Sequence, residues 1–439
     1  MSEWKKVKIG DICRIVKGTT GIASAEPGQY PLVVTAEERK TCSTYQFDCE
    51  AVCIPLVSSS GHGKKSLKNV HYQSGKFALG TILCAVIPNN PQELDARYLH
   101  QYLQFYKDII LVPLMKGAAN VSLSMKDILA VEFPLPPIDR QRELSNLFVS
   151  LQEKQKELSA EYEKQTDYAK LLRQNILQEA IEGKLTAAWR KQNPIQKGNP
   201  DYDAEALFEQ IQKEKSQYKS EKLQEPLFFE SLNIPQEWKY PTLFEITKQI
   251  TDGTHLTPNY VNDGEIFLSA QNVKPFKFIP QIHKFVSKKD FDIYRNNRTP
   301  KRNDILMARV GAGIGEAAVI DTDLQFAFYV SLCLIKTFSN YCDVNYLCLV
   351  LNSSYGTKYA KNNISSNGSS AGNYNLGHVR SLKIPLPPLA EQKEIVKQVE
   401  KHLQTDSYLE NQITEREQLT KQLMQSILKD AFEGELKNE

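Results

Sequence analysis

Glu132-Phe133-Pro134-Leu135-Pro136-Pro137-Ile138, followed by Gln141-Arg142-Glu143-Leu144, returns later in the chain as Lys383-Ile384-Pro385-Leu386-Pro387-Pro388-Leu389, followed by Gln392-Lys393-Glu394-Ile395. Pro134 and Pro385 are 251 residues apart. A second pair lies downstream: Ile176-Leu177-Gln178-Glu179-Ala180-Ile181-Glu182-Gly183-Lys184-Leu185 returns as Ile427-Leu428-Lys429-Asp430-Ala431-Phe432-Glu433-Gly434-Glu435-Leu436, again at a spacing of 251. Both ends of the stretch between the motifs therefore stay in register. A surface loop rarely keeps its length so strictly. A helix must, because each inserted residue turns everything beyond it by about 100°. Such a duplication takes precedence in reading a fold.

The intervening residues have the pattern of helix. Leu144, Phe148, Leu151, Leu158, Tyr162, Leu172 and Ile176 fall near heptad spacing, and Ile395, Val399, Leu409, Ile413, Leu423 and Ile427 occupy equivalent places in the second copy. Glu, Gln and Lys fill most of the rest. Prolines precede each run and a glycine follows it, as helix punctuation requires. Roughly 43 residues at about 1.5 Å each give a rod of order 65 Å. A lone rod with one apolar stripe cannot satisfy itself, whereas two with matched stripes bury each other as a coiled coil. The alternative is two independent helices, each packed on its own domain.

The regions before each rod also resemble one another, more weakly. Trp4 with Asp11-Ile12 matches Trp238 with Glu245-Ile246, and Gly18-Thr19-Thr20 parallels Gly253-Thr254-His255. Gly28, Leu32 and Ala36 match Gly264, Leu268 and Ala270; Thr81-Ile82-Leu83-Cys84-Ala85 matches Asp304-Ile305-Leu306-Met307-Ala308; Asp95 and Tyr98 match Asp343 and Tyr346. The spacing drifts, so loops have changed length. Short β-branched and aromatic runs alternate with turn residues in both regions, each with one helix near 95–106 and 343–352. The expected fold class is α+β: two globular, mostly-β domains separated by two long helices packed as an antiparallel coiled coil, with a pseudo-two-fold. The expected divisions are 1–133, a first domain; 134–190, a helical region; 191–235, a polar connector with one charged helix; 236–383, a second domain; and 384–439, a second helical region.

The chain has 439 residues, 54 basic and 52 acidic, for a formal charge of +2. Such a chain is not globally basic, so any nucleic-acid contact must come from local patches. No run of about 18 apolar residues exists, and Met1-Ser2-Glu3-Trp4-Lys5-Lys6 lacks the apolar core of a signal peptide, so no membrane span is expected and a cytoplasmic location is. Eight cysteines are scattered without a CxxC pair, as in a protein with reduced thiols. The alternative is a zinc site of Cys42, Cys49 and Cys53, although their spacing is wrong for a zinc finger; no metal is expected.

The rod motifs carry a resemblance to a known family. Pro134-Leu135-Pro136-Pro137 with Gln141, then Ala180-Ile181-Glu182-Gly183-Lys184-Leu185-Thr186, resembles the central conserved region of type I restriction–modification specificity subunits (HsdS). Pro385-Leu386-Pro387-Pro388 with Glu391-Gln392, then Ala431-Phe432-Glu433-Gly434-Glu435-Leu436, resembles their C-terminal conserved region. Trp4 to Ile12 and Trp238 to Ile246 look like the starts of their two target-recognition domains. Thr251-Asp252-Gly253-Thr254-His255 and Gly311-Ala312-Gly313-Ile314-Gly315 also resemble stretches of such domains, although the first domain lacks a Gly-x-Gly-x-Gly equivalent after Ala85. The resemblance implies a non-catalytic subunit. Each domain would read one half of an asymmetric two-part site on double-stranded DNA, and the rods would set the spacer and dock two methyltransferase (HsdM) subunits. Motor–nuclease (HsdR) subunits would complete a holoenzyme that methylates adenine and cuts DNA at the expense of ATP. No cofactor is expected in this chain; S-adenosylmethionine, ATP and Mg belong to the partners.

Catalytic motifs do not assemble. Gly311-x-Gly313-x-Gly315 leads into another short apolar run, so a tight turn between strands is favoured over a nucleotide loop. Gly61-His62-Gly63-Lys64-Lys65-Ser66 lacks the earlier glycine of a phosphate loop, whose place is taken by Ser58. Contacts to DNA need Lys, Arg, hydroxyls and amides within reach of phosphates and base edges. In the first domain the candidates are Ser60, His62, Lys64, Lys65 and Lys68, then Lys116 and Asn120. In the second they are Thr251, Asp252, Thr254, His255, Arg295, Arg309, Asn367 and Asn373. A coiled-coil scaffold that binds only proteins, and a fused enzyme of the same defence class, are the alternatives.

Overall fold

The computed structural model describes residues 4–60, 63–218, 223–365 and 372–434. Its contacts divide the chain into two compact units, one of Met1–Lys164 with Ile413–Glu439 and one of Gln165–Gln412. Two long helices, Ile138–Ile181 and Leu389–Glu433, run where the duplicated motifs predict them. Each ends on a glycine with left-handed backbone, Gly183 at φ +69° and Gly434 at φ +77°. That conformation lets the chain turn back onto the last helical carbonyls: Gly183 N donates to Ala180 O and Lys184 N to Glu179 O.

The first unit contains two four-stranded sheets. The strands of these two sheets are β1 (Cys13–Lys17), β2 (Tyr30–Val33), β3 (Lys40–Cys42), β4 (Phe47–Asp48), β5 (Ala51–Pro55), β6 (His71–Gln73), β7 (Lys76–Leu79) and β8 (Leu83–Pro88). One sheet has the order β1-β8-β5-β6 and the other β3-β2-β7-β4, with β2 and β7 parallel. The helix Ala96–Ile110 starts at Asp95, whose carboxylate accepts from the backbone of Arg97 and Tyr98. It packs on β5 and β6. Leu144 and Phe148 of the first long helix share a core with Tyr98, Leu103, Phe133, Ala431 and Phe432. Phe148 faces Phe432, and further along Tyr162 hydrogen-bonds Thr420 at 3.0 Å. Advancing on one helix means retreating on the other, so the pairing is antiparallel.

The second unit repeats this construction. The strands of its two four-stranded sheets are β9 (Thr247–Asp252), β10 (Tyr260–Val261), β11 (Glu265–Leu268), β12 (Lys284–Val286), β13 (Ile305–Ala308), β14 (Ala317–Val319), β15 (Ala327–Phe328) and β16 (Leu332–Thr337). One sheet has the order β9-β16-β13-β14 and the other β10-β12-β11-β15, with β11 and β15 parallel. Asp343 caps the helix Val344–Asn352 as Asp95 caps its counterpart. Ile176, Leu177, Ala180 and Ile181 share a core with Ile395, Val399 and Trp238. Arg173 meets Glu410 at 3.4 Å. The connector supplies the helix Ala204–Lys215, whose Leu207 and Ile211 are buried in that core. Glu391 is buried there too, accepting from Thr186, Arg190 and Trp238 Nε1 at 2.7, 2.5 and 2.9 Å.

The helix-pairing positions divide by depth. Leu144, Phe148, Ile176, Ile395 and Val399 are buried; Leu158, Tyr162, Ile413 and Ile427 are half-buried; Leu172, Leu409 and Leu423 are exposed. The heptad reading overstates the burial at Leu172, Leu409 and Leu423. A straight helix turns every 3.6 residues and drifts off a seven-residue stripe, and two helices alone cover only a narrow seam. No helix among the described residues is long and apolar enough to cross a membrane.

Candidate nucleic-acid interface

Three segments meet at one end of the first sheet in each unit, and the backbone bonds that join them match one for one. In the first unit, Gly18 N donates to Leu83 O, Leu56 N to Ile82 O, and Leu123 N to Leu56 O. In the second, Gly253 N donates to Leu332 O, Arg309 N to Ser331 O, and Tyr374 N to Arg309 O. Isolated bridges repeat as well: Thr20 with Gly80 and Thr254 with Tyr329, then Val57 with Ser122 and Val310 with Asn373. The frame is therefore the end of the opening strand, the loop after β5 or β13, and a late loop before the long helix.

This frame corrects one sequence match. Leu83–Ala85 belongs to β8, the neighbour of β1, and its counterpart is β16, not Asp304–Ala308. The counterpart of β13 is β5. The sequence match failed because both are short apolar strands, and only pairing order separates them. The loop Ser58–Ser66 thus stands where Gly311–Gly315 stands in the second unit. The missing Gly-x-Gly-x-Gly has an equivalent by position, though not by composition.

In the first unit the serines of that loop hold its shape. Ser58 Oγ donates to Lys64 O at 2.5 Å and accepts from Ser66 N at 3.2 Å; Ser60 and Ser66 hydroxyls lie 2.8 Å apart; Ser59 Oγ accepts from Lys68 N at 2.9 Å. The Ser60 hydroxyl is thus engaged inside the loop, while Lys64, Lys65 and Lys68 are exposed. A Cβ added to Gly63 would lie 2.4 Å from Ala118 O, so this loop runs directly against the Lys116–Asn120 turn. Lys116 and Asn120 are exposed, and Lys116 pairs with Asp127 at 3.2 Å. The structure brings these candidates together. His62 lies outside the described residues.

In the second unit Gly311–Gly315 is a tight turn, with Gly315 N donating to Ala308 O and Ala308 N to Glu316 O. Gly311 and Gly315 have φ of +91° and +88°. Asp252 and His255 pair at 2.9 Å, and Asp252 also accepts from Arg309 at 2.9 Å. Thr251 is half-buried and Asn373 exposed. Thr254 is buried, its hydroxyl accepting from Leu256 N. Arg309 is 4% exposed, with its donors turned to protein acceptors. Arg295 is placed elsewhere, on the helix Lys288–Arg295, over the Phe291 ring and bonded to Gln325. Asn367 lies outside the described residues.

Other polar groups were not singled out by sequence. At the opposite end of β9 and β16, a cleft of about 710 Å³ is lined by Lys248, Lys301, Arg302 and Lys336 around Asp304. Asn297 and Asn303 there have φ of +59° and +67°. The run Lys301-Arg302 is the one legible signal. In the first unit Arg39 donates to Gln73 and Tyr72 O and lies 3.2 Å from His71 Nδ1. Burial, then the Arg39 charge, push His71 down to about 4 and keep it neutral. Burial raises the Cys13 and Cys84 thiols to about 12, far from a reactive thiolate. Among the described residues no group of three His, Cys, Asp or Glu side chains is placed to hold a metal ion.

Comparison with known proteins adds a family. Residues 1–165 and 235–418 match the model of the type I restriction modification DNA specificity domain. The chain is 23% identical to the type I restriction enzyme EcoDI specificity subunit of Escherichia coli, over 99% of this chain and 89% of that one. It is 25% identical to the EcoBI specificity subunit of the same organism, over 72% of this chain and 60% of that one. Its fold resembles that of a chain solved in a study of complex assembly and conformational transition of the type I R-M system, with a TM-score of 0.65, 17% identity and 99% of each chain covered. It also resembles the HsdS subunit from Thermoanaerobacter tengcongensis, with a TM-score of 0.55, 17% identity and 99% and 98% of the two chains covered.

Proposed function

Since this chain belongs to the type I restriction–modification DNA specificity family and is a specificity subunit with two DNA-recognition domains, we propose that each domain reads one half of an asymmetric two-part site through its own loop cluster. The paired long helices set the spacer between the halves and dock two methyltransferase subunits. Motor–nuclease subunits complete the assembly. Chemistry belongs to those partners, which carry S-adenosylmethionine, ATP and Mg; this chain supplies the address.

One observation carries this reading. The same three-segment frame is built twice, bond for bond, and bears different side chains each time: Lys64, Lys65, Lys68 and Lys116 on one, His255 and Asn373 on the other. A constant frame with a changed surface suits two unlike half-sites. Exposed Tyr168, Leu171, Leu172, Tyr408 and Leu409 on the long helices support docking, since apolar side chains clustered on a helix face call for a partner.

The test is an exchange. Residues 1–133 are replaced by the corresponding domain of another specificity subunit, and methylated adenines are mapped in cells that carry the partners. One half of the target changes and the other half stays. A change of both halves, or of neither, sinks the reading.

A further inference from the structure

We propose that Arg309 is the positioning residue of the second domain's reading surface, a role that rests on the function just stated. Arg309 is 4% exposed and does not lie on the surface. Its Nε donates to Tyr374 O at 2.8 Å, one terminal nitrogen to Asp252 Oδ2 at 2.9 Å, and the other to Asn373 Oδ1 at 3.3 Å. These acceptors sit on two segments far apart in the chain. A planar guanidinium with fixed donors sets the geometry between two partners in a way that a single ammonium does not. Asp252 passes the constraint outward: the same Oδ2 lies 2.9 Å from His255 Nε2, and the His255 side chain is 67% exposed. Two exposed groups, His255 and Asn373, are thus tied to one buried charge.

The first domain shows that the backbone frame does not need this charge. Leu56 makes the backbone bonds that Arg309 makes, and Lys17 pairs with Cys84 across the sheet as Asp252 pairs with Cys333. Where one domain has Leu56 and Lys17, the other has an ion pair of buried Arg309 with half-buried Asp252. The pair therefore serves the side chains it orients, and it marks a place where the two readers differ by construction.

The test uses the full chain assembled with its methyltransferase subunits. Arg309→Leu alone would leave the half-buried Asp252 carboxylate without its arginine and risk misfolding, so it is combined with Asp252→Lys, which copies the first domain's pair. Discrimination among second-half sequences, read from methylation of a randomised DNA library, falls roughly ten- to a hundredfold, the range of a lost base contact. First-half discrimination and the melting temperature stay close to those of the unsubstituted complex. His255→Ala lowers the same discrimination, and adding it to the double substitution costs little more, because both act through one tether. Asp252→Asn, which keeps the shape of the site, serves where the double substitution does not fold, and it too weakens second-half reading. Unchanged second-half discrimination in a folded variant, or equal loss at both halves, overturns the assignment. An unsubstituted complex with no two-part target would sink the parent reading and this assignment with it.

Discussion

Gly18 and Gly253 occupy the same corner of their domains for the same reason. A Cβ on Gly18 would lie 2.2 Å from Gly80 O, and one on Gly253 would lie 2.3 Å from Phe328 O. Both obstacles are backbone, which cannot rotate away. Gly75 presents the opposite problem: space around it is open, but its φ is +72°. Gly253→Ala is expected to destabilise the second unit by about 1–3 kcal/mol through overpacking, with loss of sequence reading because the corner bears Asp252 and His255. Gly75→Ala is expected to cost about 1–2 kcal/mol, from conformation alone, with reading intact. Thermal unfolding together with a DNA-discrimination assay separates the two. Gly253→Ala that leaves both measurements unchanged contradicts the packing argument. The sequence showed that glycines recur here; the approach of a parallel strand, which explains them, was not visible in it.

At the scale of elements, the ends of the long helices are anchored more firmly than their middles. Phe432 is almost fully buried, and its ring lies 5.6 to 6.4 Å from those of Tyr98, Tyr102, Phe105, Tyr106 and Phe148. Phe432→Ala is expected to cost about 3–5 kcal/mol, because a rigid aromatic cage cannot close over the cavity. Tyr162→Phe removes one half-buried hydrogen bond to Thr420 and is expected to cost about 0.5–1.5 kcal/mol. Chemical denaturation of the two variants tests that order, and a Tyr162→Phe chain weaker than Phe432→Ala would reverse it. Periodicity located both helices and their stops. It did not distinguish buried Met424 from exposed Leu423, because adjacent positions of one helix differ by only about 100° and the partner decides which is covered.

At the scale of the whole molecule, the two rods are nearly the same length, 44 and 45 residues, and the spacer proposal depends on that length. Deleting four residues near position 158 shortens one rod by about 6 Å while keeping nearly the same face. The expected result is a shifted spacer between the methylated half-sites, or failure of the complex to assemble. Mapping methylated adenines and sizing the complex read both outcomes. Unchanged spacing with full activity would contradict the ruler role of the helices.

Duplication, helix length, helix stops and strand-rich composition were determined by local sequence alone, since spacing, proline, glycine and apolar period act within a few residues. The loops of each proposed reading surface were legible as basic, hydroxyl-rich or glycine-rich stretches. Their gathering was not, because Leu56 and Leu123, or Arg309 and Tyr374, meet only through long-range strand pairing. Tertiary structure likewise decided that Arg309, an apparent surface contact in the sequence, is buried and spends its donors on Asp252, Asn373 and Tyr374. A charged side chain's role depends on what surrounds it, and that is set by residues far away in the chain.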